Sequence, residues 1–355
     1  MRKARIGVIG TGWWATQEHI PSLKRYEKAD LVALADPNSA KLAKAADYYD
    51  VDGQYEDYRD MLASGKVEGV VIAVPHAYHY EIARDALDAG VHVLVEKPMV
   101  LKSTEAWDLV RRADNSKLQL MVGYTFHFTR HALEARRVVQ SGALGEIRFI
   151  SGLFASMAQH FFSGKPEMMD RVFGFPLTRP EETSYSDPTI SGGGQGQTQI
   201  THAMGMVFWV TGLRSVATSA FMESFDLAVD VVDAVSYRME NGAVGTMGAT
   251  GTVMPDQPEN QEFIYYGSEG FLRQDIINGR LDYHLNDGTS VEVTGMADEE
   301  IYPTHLPSWR LADLVLGEGE NLAPGRVGAY TVEFLEAAYS SAESGQSARI
   351  DTSVP

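Results

Sequence analysis

The sequence predicts an α/β protein, with a doubly wound parallel sheet in its first third and a second α/β domain after it. Three observations carry this expectation. Short β-branched runs alternate with amphipathic helical stretches over the first 124 residues. A glycine-rich turn, Gly10-Thr11-Gly12-Trp13-Trp14-Ala15, follows the first of those runs. After Tyr124 the rhythm changes to one helix, a strand, a long aperiodic stretch and then strands joined by turns.

In the first part, strands are expected over residues 5–10, 31–36, 69–75, 92–96 and 119–124, with helices over 39–49, 78–89 and 104–113. Pro21 lacks an N–H for the helical ladder, so it should interrupt or kink the first crossover helix. In the second part, a helix over 132–140 leads to a strand over 146–155. Residues 156–191 show no clear periodicity, and loops of that length are usually functional or mobile. The triplet Gly192-Gly193-Gly194 opens an apolar helix over 195–211. Strands over 234–239, 243–252, 262–266 and 281–284 follow, the first two joined at an Asn241-Gly242 hairpin signal, and a helix over 327–342 closes the chain. With 355 residues, two domains are expected, 1–124 and 125–355.

Composition excludes several function classes. The net charge of −18 works against binding to nucleic acid or an anionic lipid surface. An anionic cofactor must therefore be attracted locally, by backbone N–H groups and a helix N-terminus. The absence of cysteine removes disulfides, thiolate nucleophiles and cysteine-bound zinc, and no His or carboxylate cluster has metal-ligand spacing. No run reaches about 18 uninterrupted apolar residues, so no membrane span is expected. Met1-Arg2-Lys3-Ala4-Arg5 leads straight into the first strand without room for a signal peptide, which makes the cytoplasm the expected location.

Gly10, Gly12 and Ala15 fit the Rossmann dinucleotide fingerprint. Gly10 serves the tight turn, Gly12 lets backbone approach a pyrophosphate, and Ala15 is small enough for helix-to-strand packing. Thr11, Trp13 and Trp14 lie within the same turn and are expected beside the cofactor. Asp36 ends the next strand at the position where a carboxylate accepts both ribose hydroxyls and repels a 2′-phosphate, so NAD is the expected cofactor. Pro75, His76 and His79 end one strand of the sheet and Glu96-Lys97-Pro98 another, on the carboxyl edge where such sheets place ligands. Lys97 can polarise a substrate oxygen or, with its basicity lowered by burial, share a proton during hydride transfer. His76 or His79 would line the nicotinamide pocket together with Glu96.

On the helix after the glycine triplet, His202 follows Thr198 by four residues, so both face one way. Gln195, Gln197 and Gln199 add amides to a helix that is otherwise apolar, giving a polar start suited to a cleft.

Taken in order, the glycine turn, Pro75-His76-Ala77-Tyr78-His79, Glu96-Lys97-Pro98, Ser141-Gly142-Ala143-Leu144-Gly145-Glu146 and the triplet with His202 resemble the Gfo/Idh/MocA oxidoreductase family over nearly the whole chain. The resemblance implies a Rossmann domain and a C-terminal α/β domain with a large open, mainly antiparallel sheet that commonly supports dimers or tetramers. It implies oxidation or reduction of a secondary alcohol on a sugar or cyclitol, and it carries catalytic roles onto Lys97 and His202. Which of the two is the base stays open. Thr198 stands where relatives often have an aspartate four residues before the histidine, and Tyr124-Thr125-Phe126-His127 stands where they often have an Asn-Arg pair. Thr198, Gln199 and Tyr124 are the expected substrate contacts. The altered site also leaves room for a redox-neutral NAD-dependent glycosidase, which oxidises, eliminates the aglycone and restores its cofactor.

Overall fold

The computed structural model describes residues 2–353 and forms two compact units. The first unit holds the chain through Tyr124 and takes back Pro166–Ser184 and Thr304–Ala329. Thr125–Lys165, Tyr185–Pro303 and the chain from Tyr330 onward form the second.

The first unit is built on six parallel strands: β1 Ala4–Ile9, β2 Ala29–Ala35, β3 Gly53–Tyr55, β4 Gly69–Ile72, β5 His92–Val95 and β6 Leu120–Val122. Their spatial order is β3-β2-β1-β4-β5-β6, so the chain winds outward from β1 in both directions. Ile6, Val8, Val70, Val71, Val93 and Leu94 are fully buried, the uniform burial of a parallel sheet covered on both faces. Part of that cover comes from the returning segment. Helix Leu306–Val315 packs on β1, β4 and β5, and Trp309 stacks on Tyr26 at 4.7 Å while donating to Ser22 O.

The first crossover helix changes character where Pro21 predicted an interruption. A π-helical turn, Ala15–His19, runs into an α-helix at Ile20–Arg25, with Pro21 in its first turn where no N–H is required.

The second unit is a nine-stranded, mainly antiparallel sheet. Its strands are β7 Ile147–Ala155, β8 Ser215–Glu223, β9 Val232–Met239, β10 Val244–Thr250, β11 Asn260–Gly267, β12 Gly270–Asp275, β13 Arg280–Leu285, β14 Ser290–Val293 and β15 Ala348–Arg349. The order is β14-β13-β12-β11-β7-β10-β9-β8-β15, and only the β7 and β10 neighbours run parallel. Alternation is clear in β9: Asp233, Val235, Tyr237 and Met239 are buried, while Ala234, Ser236 and Arg238 are exposed. Asn241 and Gly242 turn β9 into β10, with Gly242 at φ +89° and Met239 N donating to Ala243 O.

Five strands lie where none was expected, β3, β8, β12, β14 and β15. β8 reads Ser-Val-Ala-Thr-Ser-Ala-Phe-Met-Glu, with small residues that carry little hydrophobic pattern, and is held by full antiparallel pairing with β9. The aperiodic stretch resolves into short turns of helix, and its middle, Pro166–Ser184, folds with the first unit.

Candidate functional site

In the first unit, the turn after β1 has the properties a dinucleotide needs. Gly10 sits at φ +92°, and a Cβ there would come within 2.4 Å of Ala73 O, so only glycine fits. At Gly12 an added Cβ would meet nothing within 4 Å. That open space over backbone N–H groups fits a pyrophosphate.

Asp36 holds this turn in shape. Its Oδ2 accepts from Thr11 N at 2.8 Å and Thr11 Oγ1 at 2.9 Å, and its Oδ1 accepts from Asn38 N at 2.9 Å. The sequence pattern points Asp36 towards a ribose; its contacts in the structure are to Thr11 and Asn38, and the Thr11 brace carries no local sequence signal. Trp13 and Trp14 meet edge to face at 5.1 Å, and Trp13 also packs on Phe173 and Phe175 at 5.4 and 5.5 Å. Thr16 Oγ1 lies 2.9 Å from Thr178 Oγ1, Lys44 donates to Leu177 O, and Lys41 pairs with Glu181. The segment 166–184 thus lies along the glycine turn, a placement no local signal in the sequence announces.

The E-K-P segment closes β5 on the same edge. Trp14 Nε1 donates to Glu96 Oε1 at 3.0 Å, tying the glycine turn to this segment. His19 Nε2 lies 2.9 Å from the same oxygen, and Lys97 N donates to Oε2 at 3.2 Å. Burial alone would push the Glu96 carboxyl up, but the hydrogen bond from His19 and the charge of Lys97 hold it below the usual carboxylate range. For Lys97, burial pushes the ammonium below its ordinary value, and Glu96 opposes that shift. The Lys97-Pro98 peptide is cis.

His76 follows Pro75 at the end of the adjacent strand and is buried, with its ring 5.6 Å from that of His79. His79 is fully buried; Nδ1 lies 2.8 Å from Pro98 O and Nε2 2.9 Å from Val74 O. Burial pushes its pKa down. Both ring nitrogens face backbone carbonyls, an arrangement that braces the E-K-P segment against the end of β4. Tyr124, just past β6, is buried.

The second unit carries Thr198, Gln199 and His202. The helix begins as a π-helical turn, Gly196–Ile200, and continues as Thr201–Thr211. Thr198 Oγ1 donates back to Gly194 O at 2.8 Å, so its hydroxyl proton is spent within the helix. Gln199 is partly exposed, whereas Gln195 and Gln197 are buried. His202 is buried beside Phe154, whose ring is parallel at 6.4 Å, and Phe126, edge-on at 5.8 Å.

Two buried aspartates carry no periodic signal in the sequence, and one of them, Asp230, anchors this helix. Asp230 Oδ1 accepts from Gly194 N and Tyr339 Oη, both at 2.8 Å, and Oδ2 from Gly196 N at 2.7 Å. Asp233 is buried close to Asp230. Burial and the nearby Asp230 carboxylate push its pKa up to about 9. Their visible signal is two carboxylates inside the apolar run Leu-Ala-Val-Asp-Val-Val-Asp-Ala-Val. Because the folded value lies above the unfolded one, about 3.9, the native state keeps a proton that the unfolded chain releases, and stability falls as pH rises from about 4 towards 9. Asp233→Asn is expected to gain stability relative to the parent across that window, by up to about 1.4 kcal/mol per pH unit. Urea unfolding at pH 5 and pH 8 checks this, and an equal difference at both would refute it.

Among the described residues, no group of three or more His, Asp or Glu could hold a metal ion, and no helix is long and apolar enough to cross a membrane.

Two sequence models of one family match the chain. The model described as the oxidoreductase family with NAD-binding Rossmann fold covers residues 4–124, and that of the GFO/IDH/MocA C-terminal domain covers residues 132–273. The chain belongs to the Gfo/Idh/MocA oxidoreductase family. Its first domain is the family's NAD-binding Rossmann fold. An uncharacterized oxidoreductase of Synechocystis sp. is 32% identical over 41% of this chain and 39% of its own length. Inositol 2-dehydrogenase of Corynebacterium glutamicum (strain R) is 30% identical over 43% of this chain and 45% of its own. The matched region thus spans under half the length of these curated relatives. The fold is shared along the whole chain with levoglucosan dehydrogenase, solved with NADH and levoglucosan. That structure has a TM-score of 0.80 and 18% identity, over 99% of this chain and 100% of the other.

Proposed function

We propose that the protein transfers a hydride between NAD and a secondary alcohol of a sugar, sugar derivative or cyclitol. The observation that carries this reading is the Trp14 to Glu96 hydrogen bond, which ties the glycine turn to a segment bearing a buried lysine of lowered basicity. The inositol and levoglucosan dehydrogenases among the relatives support the substrate class.

Gly10, Thr11, Gly12, Trp13 and Trp14 would hold the pyrophosphate side, and Asp36 the ribose hydroxyls of the adenosine half. When bound, NAD supplies a carbon that accepts or returns a hydride. Lys97 then holds the alcohol oxygen by hydrogen bond, takes its proton as the C–H hydrogen leaves, and returns it in the reverse direction. A lysine shifted towards neutrality suits both roles. Glu96 supplies the counter-charge, while His76 and His79 support the strand end on which both stand. On the second unit, His202 is the further proton-transfer group and Thr198 and Gln199 the hydroxyl contacts. Thr198 offers lone pairs where relatives often have a carboxylate, so it accepts hydrogen bonds without charge.

The reading is tested by screening the protein with NAD against sugars, inositols and aryl glycosides, following reduced nicotinamide and released aglycone together. Net NADH formation with a sugar or cyclitol supports it. Aglycone release with catalytic NAD and little net NADH would replace it by the redox-neutral glycosidase.

Asp36 is the basis for choosing NAD over NADP. Asp36→Ser is expected to lower the NAD to NADP preference by about tenfold or more, since about 1.4 kcal/mol is one decade. Affinity for both cofactors should fall, because Thr11 loses two hydrogen bonds. Titration with each dinucleotide measures this, and an unchanged ratio would take Asp36 off the ribose.

We further propose a homo-dimer or homo-tetramer built on the nine-stranded sheet. On the face away from its core, Leu153, Phe221, Val244 and Tyr266 are 39%, 81%, 40% and 41% exposed.

A further inference from the structure

The Glu96 carboxylate of the first unit is held by three contacts, and the least expected of them comes from His19. The His19 side chain is 1% exposed and stands on the π-helical turn that follows the glycine turn. Its Nε2 lies 2.9 Å from Glu96 Oε1 and its Nδ1 lies 2.7 Å from Ser308 Oγ. Ser308 is fully buried on helix Leu306–Val315, so this serine–histidine–carboxylate array cannot present a nucleophile to a substrate. It must serve something else.

We infer that His19 is a positioning residue for Lys97: through its hydrogen bond it fixes the Glu96 carboxylate as the counter-charge of the Lys97 ammonium. An ionised carboxylate only accepts hydrogen bonds, so His19 Nε2 must carry the hydrogen in this contact. In the neutral ring, Nδ1 then accepts from the Ser308 hydroxyl, and the serine selects the tautomer that donates to Glu96. Trp14 Nε1 supplies a second donor to the same oxygen and Lys97 N a donor to the other. Gly123 closes the remaining side, since a Cβ there would meet Glu96 Oε1 at 2.6 Å. The carboxylate is thus gripped on several sides, and His19 joins it to the buried Ser308 hydroxyl.

The titratable groups that act on Glu96 and Lys97 come from three elements: His19 on the π turn, His79 on the helix after β4, and the Glu96-Lys97 pair on each other. His79 faces two backbone carbonyls and is not hydrogen-bonded to Glu96. Loss of the His19 donor shifts the buried pair from carboxylate plus ammonium towards carboxylic acid plus amine, which lowers the pH at which Lys97 gives up its proton. The inference rests on reading Lys97 as the proton-transfer group.

The test is NMR titration of the full chain labelled with 13C at lysine Cε, with the Lys97 signal assigned by its loss in Lys97→Met. His19→Leu and Glu96→Gln are each expected to lower the Lys97 midpoint by about one unit or more. His19→Gln, which can place an amide N–H near the position of Nε2, should restore it to within about 0.3 unit of the parent. His19→Asn, too short to reach Glu96, should behave as His19→Leu and replaces it if the leucine variant does not fold. An unchanged or raised midpoint in the leucine or asparagine variant, an unchanged midpoint in Glu96→Gln, or no better recovery with glutamine than with asparagine would overturn the inference. The titration needs no substrate, so its outcome is separate from whether the protein oxidises sugars.

Discussion

Lys97→Met is expected to lower turnover by about 10³-fold, within the 10²–10⁴ range of a lost general acid–base group, while NAD affinity changes little. Methionine keeps the four-atom, largely apolar stem of lysine and lacks its terminal ammonium, and with it the charge and donors. The fold should tolerate it, because Glu96 keeps Trp14 and His19 as partners. The cofactor side should also be spared, since Gly10, Gly12 and Asp36 are held by contacts that do not involve Lys97. Trp13 and Trp14 stand in the glycine turn, so quenching of tryptophan fluorescence can report NAD binding in parent and variant alike. Turnover within tenfold of the parent would remove Lys97 from the chemistry.

Asp230→Ala is expected to cost about 3 kcal/mol or more in stability, the largest single effect foreseen in the second unit. One buried carboxylate satisfies Gly194 N, Gly196 N and Tyr339 Oη. Hydrogen bonds to a charged group contribute about 1.5–3 kcal/mol each, and losing the acceptor also leaves buried donors without a partner. The two glycine donors open the helix that bears Thr198 and His202, so the same change should loosen that helix start. Denaturant unfolding measures the stability loss, and hydrogen exchange at the amides of Gly194 and Gly196 measures the local one. A cost below about 1 kcal/mol would mean that other groups cap this helix.

The two halves of the molecule differ in how much of them the sequence discloses. β1, β2, β4 and β5 announce themselves because buried parallel strands demand nearly continuous apolar runs, and the glycine turn does so because Gly10 has a conformation that other residues rarely adopt. β8 and β12 are quiet, since an antiparallel strand can rest on backbone pairing with small or polar residues along it. Local geometry was legible where a single residue type was required, as at Gly10 with its positive φ. Contacts were not legible where they arise from meetings between distant parts of the chain. His19 meets Glu96 across 77 positions and Ser308 across 289, and no periodicity records either contact. The return of 166–184 to the glycine turn is hidden for the same reason. Thr198 is expected from its spacing to face the same way as His202, and in the structure its hydroxyl donates to Gly194 O.

The central claim is that hydride passes between a carbohydrate carbon and the cofactor under the control of Lys97. The most direct measurement uses the substrate found in the sugar and cyclitol screen, deuterated at its reacting carbon, with NAD and the purified protein. Mass spectrometry of the nicotinamide product should show one deuterium per molecule of NADH formed, with the label nearly absent when Lys97→Met is used under the same conditions. Reduced cofactor without deuterium, or equal labelling by parent and variant, would contradict the account.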